Sequence, residues 1–354
     1  MDPKDIQAQI EKDIRDQLMG VRKVEEATAP PIEIKTIERV LKPGQTMFSK
    51  LLSIKKLPSA VKDFPVTTFN DTDWSIEMRS FLGTCDPNYI VQIEEAAYIL
   101  QGFEDNDKTM IVGPTGAGKS TLVEYLCALV RRPFLRINLQ GDIESSALFG
   151  QLVVEDGATV WKDGPVTEGV RYGAVVLFDE WELMPSEIGM SMQWLLEDRG
   201  RLFLKEKPGP SGGKMIIPHA EFRLVYAGNT VGQGDETGRH AGVQVQNTAT
   251  IDRFSTVVHL GYLSAKHETA ILNKVVPDLD GEVIKKMLQY AELVRSCNQQ
   301  NNITLTMSPR TLINWGKKIT RSGNIKEALI YSFLNKMNGT DKKVAMEFYV
   351  KVFG

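Results

Sequence analysis

The chain has 354 residues, of which 42% are hydrophobic and 25% charged, with a formal net charge of −3; that balance fits a soluble globular protein of two or three domains and excludes global disorder. A pI near 6.0 argues against a surface built throughout to trap nucleic acid, although a local basic patch is compatible with it. Cys85, Cys127 and Cys297 lie far apart with no C-x-x-C spacing, and no apolar run has a membrane span's length, so the composition predicts a cytoplasmic protein without zinc, disulfides or membrane insertion.

In residues 1–27, Ile6, Ile10, Ile14, Leu18 and Val21 recur at helical spacing among charged residues and predict a short amphipathic helix, which Ala29-Pro30-Pro31 ends. Its apolar stripe serves either as an intramolecular packing face or as a partner-binding helix. Short strands are expected around 32–40 and 66–69, and residues 1–85 read as an N-terminal extension or small docking module. From 86 to 262 apolar strand candidates at 109–112, 134–138, 174–178, 222–227 and 257–260 alternate with helices, the pattern of a mostly parallel α/β sheet covered on both faces. Residues 263–354 turn helical, with apolar positions at helical period over 265–273, 281–298, 309–322 and 325–334, and read as a helical lid domain. No internal repeat is present.

Gly113-Pro114-Thr115-Gly116-Ala117-Gly118-Lys119-Ser120 satisfies the phosphate-loop pattern G-x-x-x-x-G-K-[ST] at every fixed position. Thr109-Met110-Ile111-Val112 enters it as a strand, and the stretch from Thr121 to Val130 leaves it as a helix. The glycines let the backbone curl so that several N–H groups face one phosphate, and the helix N-terminus adds partial positive charge. Lys119 is then placed to reach the β- and γ-phosphates and the Ser120 hydroxyl to ligate Mg²⁺. A glycine-rich turn that binds nothing is the competing explanation, and the order strand, loop, helix disfavours it.

Val175-Val176-Leu177-Phe178-Asp179-Glu180 is an apolar strand ending in two carboxylates. A strand buried on both faces shows its first charges where it emerges, and α/β sheets bind ligands at that end. Asp179 is therefore a candidate Mg²⁺ ligand, directly or through water, and Glu180 the candidate for polarising the attacking water. Phosphoryl transfer also needs polar and cationic groups around the γ-phosphate. Asn229 after the strand ending Ala227-Gly228, Arg253 in Ile251-Asp252-Arg253-Phe254, and Arg310 in Ser308-Pro309-Arg310 are the candidates, with Pro309 suited to a first helical turn.

With these motifs the chain resembles the AAA+ P-loop ATPases, and within them the MoxR-like branch that includes the ATPase subunits of aerobic cobaltochelatases. The resemblance runs from about residue 86 to 315. It is carried by the phosphate loop, the Asp179-Glu180 strand, the segment from Ala227 through Asn229, Thr230, Val231 and Gly232 to Gly238, and the motifs around Arg253 and Arg310. The resemblance implies that Asn229 is sensor 1, Arg253 an arginine finger supplied across a subunit interface, and Arg310 sensor 2. It implies a homo-oligomer, a hexameric ring, hydrolysing ATP with Mg²⁺. Its client would be a protein, in this branch often one carrying a von Willebrand factor A domain. Insertions near 142–170 and 196–221 fit the same branch. The second reads as a hairpin, and the pair would bring Lys162, Lys205, Lys207 and Lys214 to a central pore, unless these are merely solvated. Relatives of this kind also occur in tailed-phage genomes, where the compartment would be the host cytoplasm.

The leading expectation is a ring ATPase, chaperone-like, that remodels a protein partner, with metal insertion of the cobaltochelatase type as the sharper version. A nucleic-acid translocating motor of the McrB-like type competes with it; strong salt dependence of a DNA-stimulated ATPase would favour that reading. An ATP-gated assembly scaffold is the third class, disfavoured because a passive binder does not need Glu180. The loop reads phosphates and not the base, but no Asn-Lys-x-Asp pattern follows, so ATP is favoured over GTP.

Overall fold

In the computed structural model, residues 41–209, 213–232, 234 and 245–354 are described. The predicted helix of residues 1–27, the strand near 32–40, the tip of the 196–221 insertion at 210–212 and most of the segment from Gln233 to Gly238 lie outside them.

Helices of eight or more residues are numbered with the strands in chain order: β1 Gln45–Met47, β2 Pro65–Thr67, α1 Ile93–Asp105, β3 Thr109–Val112, α2 Lys119–Val130, β4 Phe134–Asn138, β5 Gly150–Glu155, β6 Ala158–Asp163, α3 Pro165–Tyr172, β7 Val175–Asp179, α4 Ser186–Leu196, β8 Leu202–Leu204, β9 Lys214–Ile216, β10 Arg223–Gly228 and β11 Thr256–His259. There follow α5 Ala265–Val275, α6 Gly281–Gln299, α7 Pro309–Ser322, α8 Ile325–Ser332 and α9 Gly339–Phe353.

The central sheet has the order β11-β3-β10-β7-β4, and every adjacent pair is parallel. Sequence pattern follows position in this sheet. The inner strands β3, β7 and β10 are buried at every residue and read as apolar runs whose polar residues, Thr109, Asp179 and Arg223, stand only at strand ends. The edge strands β4 and β11 alternate buried with more exposed positions, as expected where only part of the strand is covered.

Period-two alternation splits the core into two layers. Met110, Val112, Val176, Phe178, Leu224 and Tyr226 face α3 and α4 and pack with Val166, Val170, Ile188 and Met192. Ile111, Val175, Leu177, Val225 and Ala227 face the other way, against Ile99, Leu100 and Phe103 of α1 and Leu122, Val123 and Leu126 of α2. Phe48, Phe64 and Val66, from the antiparallel β1–β2 hairpin and the turn after β1, complete this second layer. Trp74 and Met78 join the first.

Two further hairpins leave the sheet. β5 pairs with β6 and β8 with β9, both antiparallel. They are tied to each other at Asp163, whose carboxylate accepts from Lys207 Nζ at 2.9 Å while Arg171 Nε donates to its other oxygen at 2.9 Å. Lys207 is thus partly buried, whereas Lys162, Lys205 and Lys214 are exposed. Helices α5 to α9 enclose a third apolar cluster, centred on Trp315, Tyr290, Met287 and Leu329.

Candidate functional site

Parallel register sets the strand ends level, and the site lies just beyond them. Val112 stands opposite Gly228 and His259, and Ala227 opposite Asp179. The chain leaves β3 into the glycine loop, in which Gly116 has φ +77° and Gly118 φ +95°. An L side chain in that region costs about 1–2 kcal/mol. Gly116 is constrained twice, because a Cβ there would stand 2.5 Å from Cβ of Ser308, the N-cap residue of α7. The loop and the start of α7 therefore touch.

Lys119 opens α2 and is only 8% exposed. Its Nζ donates to the carbonyl of Gly113 at 2.7 Å, to that of Pro114 at 3.3 Å and to Asn229 Oδ1 at 3.0 Å. Burial pushes the Lys119 pKa down, against the opposing pull of Glu182, Asp179 and Glu180. Thr115 Oγ1 also lies 3.3 Å from Asn229 Oδ1. Asn229 thereby connects the end of β10 to the loop through its side chain.

Asp179 ends β7 and is buried. Its Oδ2 accepts from Ser120 Oγ at 2.6 Å and from Arg136 Nε of β4 at 2.8 Å. Glu180 follows with φ +56°, a left-handed conformation uncommon for a residue with a side chain. Its N–H donates to Asp179 Oδ1 at 3.2 Å, and its own carboxylate is exposed toward the loop. Glu182, two residues on, is 1% exposed. Its Oε1 accepts the backbone N–H of Asn229 at 2.7 Å, while Oε2 finds no partner among the described residues.

A polar cavity of about 180 Å³ is lined by Thr115, Gly116, Gly118, Lys119, Ser120 and Thr121 of the loop, with Arg136, Asp179, Glu180, Asn229, Ser308 and Arg310 around them. A second cavity of about 410 Å³ shares Gly116, Gly118, Thr121 and Arg310, adds Ala117, and is walled by Tyr89, Ile90, Leu263 and Ile313. One is suited to phosphates, and the other offers apolar walls to a base and sugar. Gly113 and Pro114 contribute their carbonyls to Lys119.

The oxygen donors also fit a hard divalent cation. Mg²⁺ prefers oxygen ligands and is commonly held by one or two protein groups together with water and substrate phosphates. Ser120 Oγ and Asp179 Oδ2 meet that description, and no cage of three or more His, Cys, Asp or Glu residues is found among the described residues.

Thus eight of the residues predicted beyond the glycines, Thr115, Lys119, Ser120, Thr121, Asp179, Glu180, Asn229 and Arg310, converge on one cavity. Arg253 does not line it. Its Nε pairs with Glu197 Oε1 at 2.7 Å, and a terminal nitrogen donates to the Ala249 carbonyl at 2.6 Å. Three groups escaped the sequence reading. Arg136 has no signal beyond a charge interrupting an apolar strand, Glu182 appears only as another acid after Glu180, and the apolar cavity is assembled from distant segments.

A five-stranded parallel sheet with a glycine loop after an inner strand and paired carboxylates at the end of another defines a P-loop nucleoside triphosphatase. The matches to family models and to curated relatives agree. Residues 108–254 match the family model described as AAA domain (dynein-related subfamily), and residues 268–347 match CbbQ/NirQ/NorQ C-terminal. Aerobic cobaltochelatase subunit CobS from Sinorhizobium sp is 33% identical over 321 residues, covering 87% of this chain and 95% of the relative. Protein CbbQ from Hydrogenophilus thermoluteolus is 25% identical, covering 69% and 85% respectively. Among solved structures, the RuvB Holliday junction branch migration motor of Thermotoga maritima aligns at 13% identity with a TM-score of 0.42, covering 77% of this chain and 72% of that one. The chain belongs to the MoxR-type AAA+ ATPases and is an ATP hydrolase related to CobS, CbbQ and NorQ. Among the described residues no helix is long and apolar enough to cross a membrane.

Proposed function

We propose that this chain assembles into a ring, most simply a hexamer, whose Mg²⁺-dependent ATP hydrolysis remodels a protein partner. The observation that carries the reading is the convergence of Lys119, Ser120, Asp179, Glu180 and Asn229 on one cavity at the sheet's C-terminal edge. The loop N–H groups and Lys119 bind and orient the phosphates. Ser120 and Asp179 would hold Mg²⁺, which when bound would supply positive charge that offsets the phosphates'. Glu180 takes up the proton of the attacking water, and Asn229, held at its N–H by Glu182, orients that water and the γ-phosphate. Arg310 closes over the phosphates from α7. Arg253, pointed away from its own cavity and tethered to Glu197, completes a neighbour's site. The division into an α/β nucleotide-binding domain over 86–262 and a helical lid over 263–354, preceded by an extension, belongs to the same proposal.

Two features favour a protein client. The β5–β6 hairpin is largely exposed, and Leu152 and Val154 on β5 and Ile217 after β9 are exposed apolar side chains, which suits peptide contact. The relationship to a cobaltochelatase subunit supports a chelatase-type partner, one carrying a von Willebrand factor A domain in the sharper form. The site is predicted to behave as follows. Lys119→Ala loses MgATP binding, whereas Glu180→Gln binds MgATP but turns over roughly 10²–10⁴-fold more slowly, as measured by equilibrium binding and steady-state phosphate release. Wild-type turnover in Glu180→Gln would overturn the assignment of the carboxylate. Affinity capture with tagged Glu180→Gln in MgATP then tests the client. A von Willebrand factor A protein or a chelatase subunit supports the reading, and nucleic-acid fragments without such a protein replace it with a translocating motor.

A further inference from the structure

One guanidinium joins α5 to two segments that meet the phosphate loop, the start of α7 and the Tyr262 link. Arg295 on α6 and Glu268 on α5 are 7% and 3% exposed, and form a two-pronged ion pair with N···O distances of 2.9 and 2.6 Å. The third edge of the Arg295 fork, Nε, donates to the carbonyl of Met307 at 2.8 Å. Its face is covered by Tyr262, whose ring centre lies 4.3 Å away. Tyr262 belongs to the link between β11 and α5, and its hydroxyl donates to the carbonyl of Thr115 in the phosphate loop at 3.0 Å, close to Thr306 Oγ1 at 3.3 Å.

Two contacts of this unit, to Met307 and to Tyr262, lead to the nucleotide cavity. Met307 precedes Ser308, the N-cap of α7 that touches Gly116, and Arg310 follows within the first turn of the same helix. An apolar pair would hold α5 against α6 about as well, since a buried ion pair gains little over well-packed hydrophobic side chains. What the guanidinium adds is direction: a planar fork with its three edges and one face committed fixes the relative placement of α5, α6, the start of α7 and the Tyr262 link.

We propose that Arg295, held by Glu268, is a positioning residue that sets the start of α7, and with it Arg310, against the phosphate loop, and that Tyr262 couples this placement to the loop through Thr115. The inference rests on the role given to Arg310 above. Its test uses the full chain and isothermal titration with a non-hydrolysable ATP analogue and Mg²⁺, alongside melting temperatures. Tyr262→Phe keeps the ring on Arg295 and removes only the hydroxyl. It is expected to lower the melting temperature by no more than about 2–4 °C, the shift that one lost hydrogen bond produces, and to raise the Kd about 2- to 10-fold.

Arg310→Gln raises the Kd by itself, and the double variant is expected to bind no more weakly than Arg310→Gln alone, because Tyr262 acts through the placement of Arg310. Arg295→Lys keeps the charge but offers no fork, and the same non-additivity with Arg310→Gln is expected. The proposal is overturned if Tyr262→Phe binds like wild type, if the two factors multiply, or if Arg295→Lys lowers the melting temperature with the Kd unchanged. If Arg310→Gln alone binds like wild type, the coupling fails together with the role of Arg310, and that arm identifies which premise was wrong.

Discussion

Lys119 meets two opposing demands: it must stay charged to bind phosphates, and it is packed under the loop where burial favours its neutral form. Its pKa lies below the ordinary 10.5 because of burial, and among the surrounding carboxylates Glu182 opposes that shift most strongly. Phosphate charge in the cavity favours the protonated amine. As pH rises and the free protein loses this proton, MgATP binding is therefore predicted to take a proton up. Titration calorimetry in buffers of different ionisation enthalpy measures this directly. Glu182→Gln removes one negative charge near the amine, so the onset of uptake is predicted to move to lower pH; an unmoved onset would show that Glu182 does not support the charge of Lys119.

At this scale the sequence was legible where spacing dictates geometry. The distance between Gly113 and Lys119 along the chain fixes the curl of the loop, and an apolar strand ending in Asp179 and Glu180 fixes where the acids emerge. Glu182 and Arg136 were not legible, because their partners, the Asn229 N–H and Asp179, are brought to them only by the pairing of β10 and β4 with β7.

The phosphate loop and α7 make one contact that separates two glycines otherwise alike. Both Gly116 and Gly118 have positive φ, but a Cβ at 118 meets open space while one at 116 runs into Ser308. Gly118→Ala is predicted to cost only the backbone strain, about 1–2 kcal/mol. Gly116→Ala adds displacement of α7, and should show both a lower melting temperature and weaker nucleotide binding than Gly118→Ala. Equal effects in a denaturation and binding series would mean that the Ser308 contact is not a constraint. Among the elements, all five central strands were readable to within a residue, β3, β7 and β10 because burial on both faces leaves apolar runs, and the edge strands β4 and β11 because they keep enough apolar positions between turn signals. The β5–β6 hairpin was not, since Gly150–Glu155 and Ala158–Asp163 are largely exposed and carry no apolar period. Helix α9 was missed for a related reason: only Asp341 and Ala345 are buried along it, and its aromatic and β-branched residues do not announce a helix.

For the whole molecule, the arrangement of Arg253 bears most on function. A cation tethered to Glu197 outside its own nucleotide cavity contributes to hydrolysis only if a second chain brings a cavity to it. Arg253→Ala is accordingly predicted to bind MgATP with near wild-type affinity and to lose turnover on the order of 10³-fold or more. The same expectation gives the most direct test of the ring account, a mixture of Arg253→Ala and Glu180→Gln proteins assayed for steady-state phosphate release. Each alone is expected to turn over only slowly, yet if the two chains adjoin in the proposed ring, the intact Glu180 of one would meet the intact Arg253 of the other. Recovery of a substantial fraction of wild-type turnover on mixing is the predicted result. No recovery from two variants that both bind MgATP and co-assemble would contradict a site shared between neighbouring chains.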